Sequence, residues 1–286
     1  MEKFQLTPFL DVNGIGSASG LVHYQDSLFI ISDNSGFLYE YRLGAQDTLQ
    51  HTLVSGPAQN IEKKRKPDLE SITLKDNKLY IFGSGATENR NRHFIFDPRT
   101  QEVSEKSLEN LYRKVKTMAG ISDDDLNIEG ALFYKDSLYL FQRGNGANSQ
   151  NGIVAIDHYN EEEGCNDGMP IRFVPVSLPK IGHVEATFTD AVLVAGKIYF
   201  LAAAEDSVST YEDGEVLGSL VGCMDAVSFE VDFTIQITNT IKFEGLTPFG
   251  QSETGIIFLL CEDNDTEALE SRIYKLEIPK PAPGRD

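Results

Sequence analysis

The 286-residue chain is strongly acidic, with 25 lysine and arginine residues against 44 aspartate and glutamate residues and a formal net charge of −19. Because a charge of this sign repels nucleic acid and anionic membranes at long range, we expect neither as a partner. Hydrophobic residues make up 41% of the sequence, which is enough for a globular core. No run of about 18 apolar residues predicts a membrane-spanning helix.

The amino-terminal residues and the cysteines bear on the compartment. The sequence begins without the basic, apolar and small-residue order of a signal peptide, so we expect a cytoplasmic protein. An exported form whose leader has been removed is the alternative. Cys165, Cys223 and Cys261 are odd in number and lack paired metal spacing, which argues against a disulfide framework or a zinc site.

The first predicted strand, residues 4–12, has no partner within the segment that follows it. Four further strands are predicted next, at residues 20–23, 27–32, 36–42 and 48–54. Asp33, Asn34, Ser35 and Gly36 separate the second and third of these strands, and turn residues of this kind are typical of a β-hairpin. We interpret the four strands as one antiparallel sheet.

The same four-strand order recurs along the rest of the chain. The predicted strands lie at 70–74, 78–82, 93–97 and from 101 in the second segment, at 129–134, 137–142, 152–157 and 171–178 in the third, and at 185–194, 197–203, within 216–224 and at 229–237 in the fourth. The fifth segment has only three strands, at 244–247, 255–261 and 271–278, before a tail at 279–286. A short helix after Ser107 is predicted from the apolar spacing of Leu108, Leu111, Val115 and Met118.

A short motif opens four of the five segments: a polar residue, an apolar residue, glutamate and a small residue. It occurs as DLESI at 68–72, NIEGA at 127–131, HVEAT at 183–187 and KFEGL at 242–246, and in SASGL at 17–21 serine replaces the glutamate. We call the central residues the anchors: Ser19, Glu70, Glu129, Glu185 and Glu244, spaced by 51, 59, 56 and 59 residues. A repeat of this length with several strands per unit is typical of a β-propeller, in which each unit is one blade.

We therefore predict an all-β fold in which residues 1–286 form one β-propeller domain with five four-stranded blades; six blades are the alternative. The fifth segment lacks a fourth strand, and residues 4–12 lack a partner. We expect the amino-terminal strand to complete that blade, which would remove an exposed sheet edge.

The anchors are also the candidate site. The first strand of a propeller blade lies innermost, so we expect the anchor side chains to form a ring at one mouth of the central channel. Glutamates in such a ring raise one another's pKa, and a bound cation would relieve the repulsion. Oxygen ligands favour Ca²⁺, while His183 leaves a transition metal as an alternative. In a further alternative, the glutamates accept backbone hydrogen bonds and hold the blades together.

Other charged residues are predicted around this ring. Asp68 lies two residues before Glu70 and therefore points the same way in a strand. Arg90, Arg92 and Arg143 lie in loops between second and third strands, which open on the same face. A cationic rim of this kind suits a small anionic molecule that carries a phosphate or a carboxylate.

The DLESI and NIEGA stretches resemble the glutamate motifs of the propellers named for esterase-like phytase and of the SdiA-regulated proteins. A more distant likeness is to the gluconolactonase and regucalcin propellers, which hold one catalytic divalent cation at the channel mouth with glutamate and asparagine. The resemblance implies a metal bound by Glu70, Glu129, Glu185 and Glu244 together with Asn127.

Two functions follow from these observations. The first is a calcium-dependent hydrolase of a small phosphoester or lactone, in which His183 or Glu185 activates water. The second is a non-catalytic propeller that binds a ligand or a protein and uses the carboxylate ring as a structural element. Propellers support both classes, so the fold does not choose between them.

Overall fold

The computed structural model describes residues 4–56, 59, 61–62, 64–145, 150–160, 169–206, 214–263 and 269–280. Five four-stranded sheets form a five-bladed β-propeller, which confirms the predicted fold class and the predicted number of blades. Among the described residues, no helix is long and apolar enough to cross a membrane.

The strands follow the chain blade by blade. β1 (Gln5–Asn13) precedes blade one, which consists of β2 (Ala18–Tyr24), β3 (Ser27–Ser32), β4 (Phe37–Arg42) and β5 (Thr48–Thr52). Blade two consists of β6 (Leu69–Lys75), β7 (Lys78–Gly83), β8 (Arg92–Asp97) and β9 (Glu102–Ser107), and helix α1 (Glu109–Ala119) follows it. Blade three consists of β10 (Ile128–Tyr134), β11 (Ser137–Gln142), β12 (Gly152–Ile156) and β13 (Ile171–Pro175).

A small hairpin separates blades three and four. It is formed by β14 (Lys180–Ile181) and β15 (Val184–Glu185). Blade four consists of β16 (Thr187–Val194), β17 (Lys197–Asp206), β18 (Glu215–Asp225) and β19 (Val231–Thr238). Blade five contains β20 (Lys242–Gln251), β21 (Gly255–Asp263) and β22 (Glu270–Pro279).

β1 completes blade five, as predicted. The strand order in this sheet is β1-β22-β21-β20, and β1 pairs with β22 from Gln5 opposite Glu277 to Asn13 opposite Glu270. Val12 on β1 is fully buried. The two ends of the described chain are therefore held together in one blade.

Deleting residues 1–12 is expected to lower the melting temperature by several degrees, because β22 loses its hydrogen-bonded partner and the core loses Val12. In a protein of 150–250 residues, about 1 kcal/mol of lost stability shifts the melting temperature by roughly 2–4 °C. Calorimetric melting of the truncated and full-length chains measures the effect, with deletion of residues 281–286 as the control. Equal melting temperatures for the two chains would contradict the closure.

Helix α1 lies between blades two and three, where the sequence predicted a helix. The Oγ of Ser107 accepts a hydrogen bond from the backbone N–H of Glu109 at 3.2 Å. Leu111 and Val115 are buried against the propeller, whereas Met118 is 41% exposed. The helix therefore packs on a narrower apolar stripe than the spacing of these residues indicated.

Each innermost strand contains a β-bulge near the start of the strand. One residue is skipped in the register between the first and second strands of every blade. The skipped residues are Ser19, Glu70, Glu129, Thr189 and Glu244. The positions that follow are crowded: a Cβ atom on Gly245 would lie 2.9 Å from the Cα of Gly20 in blade one. The small residues after the anchors of four of the five blades, Gly20, Ser71, Gly130 and Gly245, thus suit the close packing between neighbouring blades, whereas the buried Asp190 follows Thr189 in blade four.

The anchor predicted for blade four is wrong. Thr189 occupies the bulge of β16, whereas Glu185 lies on β15, pairs with Lys180 and is exposed. β16 begins only at Thr187, so the motif at 183–187 ends where the innermost strand starts. The true anchor spacings are therefore 51, 59, 60 and 55 residues.

Candidate functional site

The five anchors fall into two chemical kinds. The Oγ of Ser19 donates a hydrogen bond to the carbonyl oxygen of Leu69 at 2.5 Å, and the Oγ1 of Thr189 donates to that of Phe243 at 2.7 Å. Each acceptor is the residue just before the anchor of the next blade. The hydroxyl anchors therefore tie neighbouring innermost strands together, and only Glu70, Glu129 and Glu244 remain to present carboxylates at the channel mouth.

Arg143 lies in the part of the channel mouth that blades three, four and five form. Its Nη1 lies 2.9 Å from Glu129 Oε1 and 3.7 Å from Glu244 Oε1, and its Nη2 lies 2.6 Å from Glu205 Oε2. The Arg143 side chain is only 3% exposed. Asn127 Nδ2 donates a second hydrogen bond to Glu129 Oε1 at 2.7 Å. One guanidinium thus joins three carboxylates from three blades.

Lys242 extends this arrangement into blade five. Its Nζ lies 2.8 Å from Glu244 Oε1, 3.2 Å from Asp263 Oδ2 and 3.7 Å from Glu205 Oε2. Burial opposes the charge of Lys242, but the carboxylates, Glu244 first, outweigh it and raise the Lys242 pKa. We call these six residues the central network: Glu129, Arg143, Glu205, Lys242, Glu244 and Asp263.

A second group of charges lies on the side of blades one and two. Lys66 Nζ lies 2.5 Å from Asp33 Oδ2 and 2.7 Å from Asp68 Oδ1. Arg90 Nη1 lies 2.7 Å from Asp68 Oδ2, which also accepts a hydrogen bond from the hydroxyl of Ser84. Both oxygens of the Asp68 carboxylate are therefore occupied by cationic donors.

Glu70 stands between the two groups. One carboxylate oxygen each from Asp33, Asp68 and Glu70 lie within 4.8 Å of one another, and we call these three residues the carboxylate cluster. Burial raises the pKa of Glu70 well above its usual range, and the carboxylates of Asp68, Asp33, Glu129 and Glu244 raise it further. No hydrogen bond or ion pair to Glu70 is found in the part of the chain that is described.

The carboxylate cluster fits a divalent cation on two observations besides proximity. The Oδ1 atom of Asp33 is buried without a hydrogen-bond partner among the described residues, and a buried oxygen without a donor is costly. The mouth as a whole is also acidic. Its seven carboxylates, those of the central network and the carboxylate cluster, face four cations: Lys66, Arg90, Arg143 and Lys242. When all are ionised, the net charge of −3 favours a further cation.

A second repeated position contributes to the mouth and was missed by the sequence analysis. In four blades the residue before the anchor pairs with a residue at or near the end of the second strand, and the next residue along the chain faces the site. These next residues are Asp33, Ser84, Arg143 and Asp263, of which only Arg143 was predicted. Lys242 lies two positions before Glu244, the place that Asp68 and Asn127 take in their own blades, and its side chain also reaches the mouth.

Several predicted residues lie apart from the mouth. The His183 side chain is 72% exposed on the hairpin turn, with its Nε2 3.1 Å from Asp206 Oδ2. Glu185 Oε1 accepts a hydrogen bond from the backbone N–H of Leu178 at 3.3 Å. Arg92 forms an ion pair with Glu105 of the outer strand β9 at 2.7 Å. Arg90 and Arg143 do lie at the mouth, but carboxylates hold both, so they do not form the predicted free cationic rim.

Comparisons with solved structures show the fold. The glutaminyl cyclase of Myxococcus xanthus is 13% identical, with a TM-score of 0.54 over 96% of this chain and 97% of that one. The tail fiber of Staphylococcus aureus phage P68 is 9% identical, with a TM-score of 0.47 over 96% of this chain and 53% of that one. No curated protein matches the sequence. The model of DUF6929, a family of unknown function, matches residues 14–278, and the chain therefore belongs to this family.

Proposed function

We propose that the channel mouth binds a divalent cation through the carboxylates of Asp33, Asp68 and Glu70. Because these ligands are all oxygen atoms, we propose that the cation is Ca²⁺. The observation that carries this proposal is the Glu70 carboxylate, which has no partner in the described chain and lies within 4.8 Å of two other carboxylates. Carboxylate oxygens are the ligands that Ca²⁺ prefers. Glu129 and Glu244 belong to the central network and Asn127 donates a hydrogen bond to Glu129, so these three residues are not part of the proposed ligand set.

The reaction that suits this site best is hydrolysis of a small phosphoester or lactone. A bound cation would supply a Lewis acid that polarises the ester oxygen. Glu70 makes no hydrogen bond or ion pair among the described residues, and we assign to it the acceptance of a proton from water. His183 and Glu185 lie on the outer hairpin and have no part in this assignment.

The charge of the channel mouth supports an order of binding in which the cation binds before the substrate. With all of its charged groups ionised, the mouth has a net charge of −3, which repels an anionic substrate until a divalent cation reduces it. In the cation-free protein Arg90 and Lys66 hold the Asp68 carboxylate, and both are largely buried in these ion pairs. An anionic phosphoester would therefore bind only to the cation-loaded protein.

A binding propeller without catalytic activity is the second candidate. It is favoured by the central network, in which Arg143 and Lys242 neutralise two of the three anchor glutamates from within the chain. In this alternative the carboxylates hold blades three, four and five together, and the ligand or protein partner binds at the loops around the mouth.

Replacing Glu70 with glutamine is expected to abolish calcium binding and to raise the stability of the calcium-free protein, because one buried like charge is removed. In the unchanged protein, calcium at 100 times its dissociation constant should stabilise the fold by about 2.7 kcal/mol. Isothermal titration calorimetry and thermal melting measure both effects, with Glu185→Gln as a control of equal charge change outside the mouth.

Hydrolysis is then tested with a panel of small phosphoesters and lactones, with and without calcium. Calcium-dependent turnover that Glu70→Gln removes and Glu185→Gln retains would support the hydrolase. Superimposable melts in calcium and in chelator, with no heat of binding, would remove the cation site. That result would leave the second candidate.

A further inference from the structure

Lys66 reaches the carboxylate cluster from outside the strand framework of the propeller. It lies in the linker between β5 and β6, where its backbone N–H donates to the carbonyl oxygen of Glu62 at 3.0 Å. The neighbouring Ile61 N–H donates to the carbonyl oxygen of Asn34 at 2.9 Å. The ammonium group is thus carried by a turn, which can withdraw the side chain without breaking a strand pairing.

The Lys66 ammonium only partly satisfies the carboxylates around it. It contacts one oxygen of Asp33 and one of Asp68. Asp33 Oδ1 remains buried without a partner, and the Glu70 carboxylate makes no hydrogen bond or ion pair within the described residues. The Lys66 ammonium therefore leaves Asp33 Oδ1 and the Glu70 carboxylate without a donor among the described residues.

We propose that Lys66 is a tethered counter-ion that competes with a divalent cation for Asp33, Asp68 and Glu70. The inference rests on the proposed cation site and adds the way in which that site is regulated. With Lys66 and Arg90 in place, the three carboxylates keep one uncompensated negative charge. A divalent cation that displaces the ammonium makes the cluster neutral, whereas both cations together would repel each other at short range.

The competition has a consequence for affinity. A site that must first release an internal occupant binds its ligand with an apparent affinity reduced by the fraction of time that it is free. Lys66 therefore sets the calcium concentration at which the mouth is loaded. It also keeps the acidic mouth folded when calcium is scarce, because Asp33 and Asp68 retain a counter-ion.

The test is isothermal titration of calcium into three variants and the unchanged protein. Lys66→Gln is expected to bind calcium roughly tenfold more tightly or better, since the internal competitor is gone. Lys64→Gln removes the same charge from an exposed neighbour in the same turn and is expected to bind like the unchanged protein. Lys66→Arg keeps a cation at the position and is expected to retain the weaker affinity.

The outcomes separate the two proposals. Tighter binding by Lys66→Gln alone supports the competition. Equal affinities for Lys66→Gln and Lys64→Gln would overturn the role of Lys66 and leave the cation site intact. Absence of calcium binding in all four proteins would overturn the cation site itself. Should Lys66→Gln fail to fold without calcium, refolding on addition of calcium supports the proposal and failure to refold counts against it.

Discussion

Replacing Arg143 with methionine is expected to lower the free energy of unfolding by about 3–5 kcal/mol at neutral pH, the usual cost of removing one partner from a buried ion pair. The guanidinium contacts Glu129, Glu205 and Glu244, all of them buried. Methionine keeps much of the side-chain volume but supplies neither charge nor hydrogen-bond donors. The three carboxylates then share Lys242 alone, and part of the contact between blades three, four and five is lost.

Urea denaturation at several pH values measures this effect. The loss should be smaller in mild acid, because the carboxylates left without Arg143 take up protons more readily and no longer need a counter-ion. Arg92→Met is the matched control: its ion pair with Glu105 is partly exposed and should contribute at most about 1 kcal/mol. The double variant Arg143→Met with Glu129→Gln should recover part of the loss. A loss below about 1 kcal/mol for Arg143→Met would show that the central network is not a structural element of the fold.

The propeller was predictable because the same short sequence pattern recurs at the innermost strands of the blades. Neighbouring blades approach too closely for a Cβ atom at Gly245, and small residues follow the anchors of four of the five blades, whereas Asp190 follows Thr189 in blade four. The strand count then required one strand to come from the amino terminus, and β1 does pair with β22. Both inferences depended on spacing and sterics, which a single sequence reveals.

The composition of the ring was less predictable because glutamate was treated as the defining residue. The bulge position also accepts a hydroxyl that bonds the next blade, as Ser19 and Thr189 do. Glu185 was therefore assigned as the anchor of blade four, four positions before the true anchor, Thr189. The sequence also could not say which carboxylates would be neutralised, because Lys66, Arg143 and Lys242 reach the mouth from a linker, a loop and the start of a strand.

A buried histidine in blade two gives the second large effect that we expect, a loss of stability in acid. His93 is 1% exposed, its ring lies parallel to that of Phe82 at 4.3 Å, and neither ring nitrogen has a hydrogen-bond partner among the described residues. Burial, with a smaller contribution from Lys106, lowers the pKa of His93 from 6.5 to about 3. The imidazole is therefore neutral in the folded protein throughout the physiological range.

The sign of the effect follows from proton binding. Between pH 6.5 and pH 3 the unfolded chain binds a proton at His93 that the folded chain does not, so stability falls as the pH falls through this window. The penalty from this one group reaches about 2 kcal/mol at pH 5 and about 5 kcal/mol below pH 3. The buried carboxylates of the mouth, such as Glu70 and Glu244, have raised pKa values and act in the opposite direction.

Comparison with His93→Phe isolates the histidine, because the carboxylates are the same in both proteins. As the pH is lowered from 7.5 to 5, the unchanged protein should lose about 2 kcal/mol more of its unfolding free energy than the variant does. This comparison does not depend on how far the two proteins differ in stability at pH 7.5. Urea denaturation across this range measures the two profiles. His183→Gln, which removes an exposed histidine, should follow the unchanged protein at every pH. Parallel profiles for His93→Phe and the unchanged protein would mean that His93 finds a proton acceptor or water in the folded state, and that its burial does not cause acid unfolding.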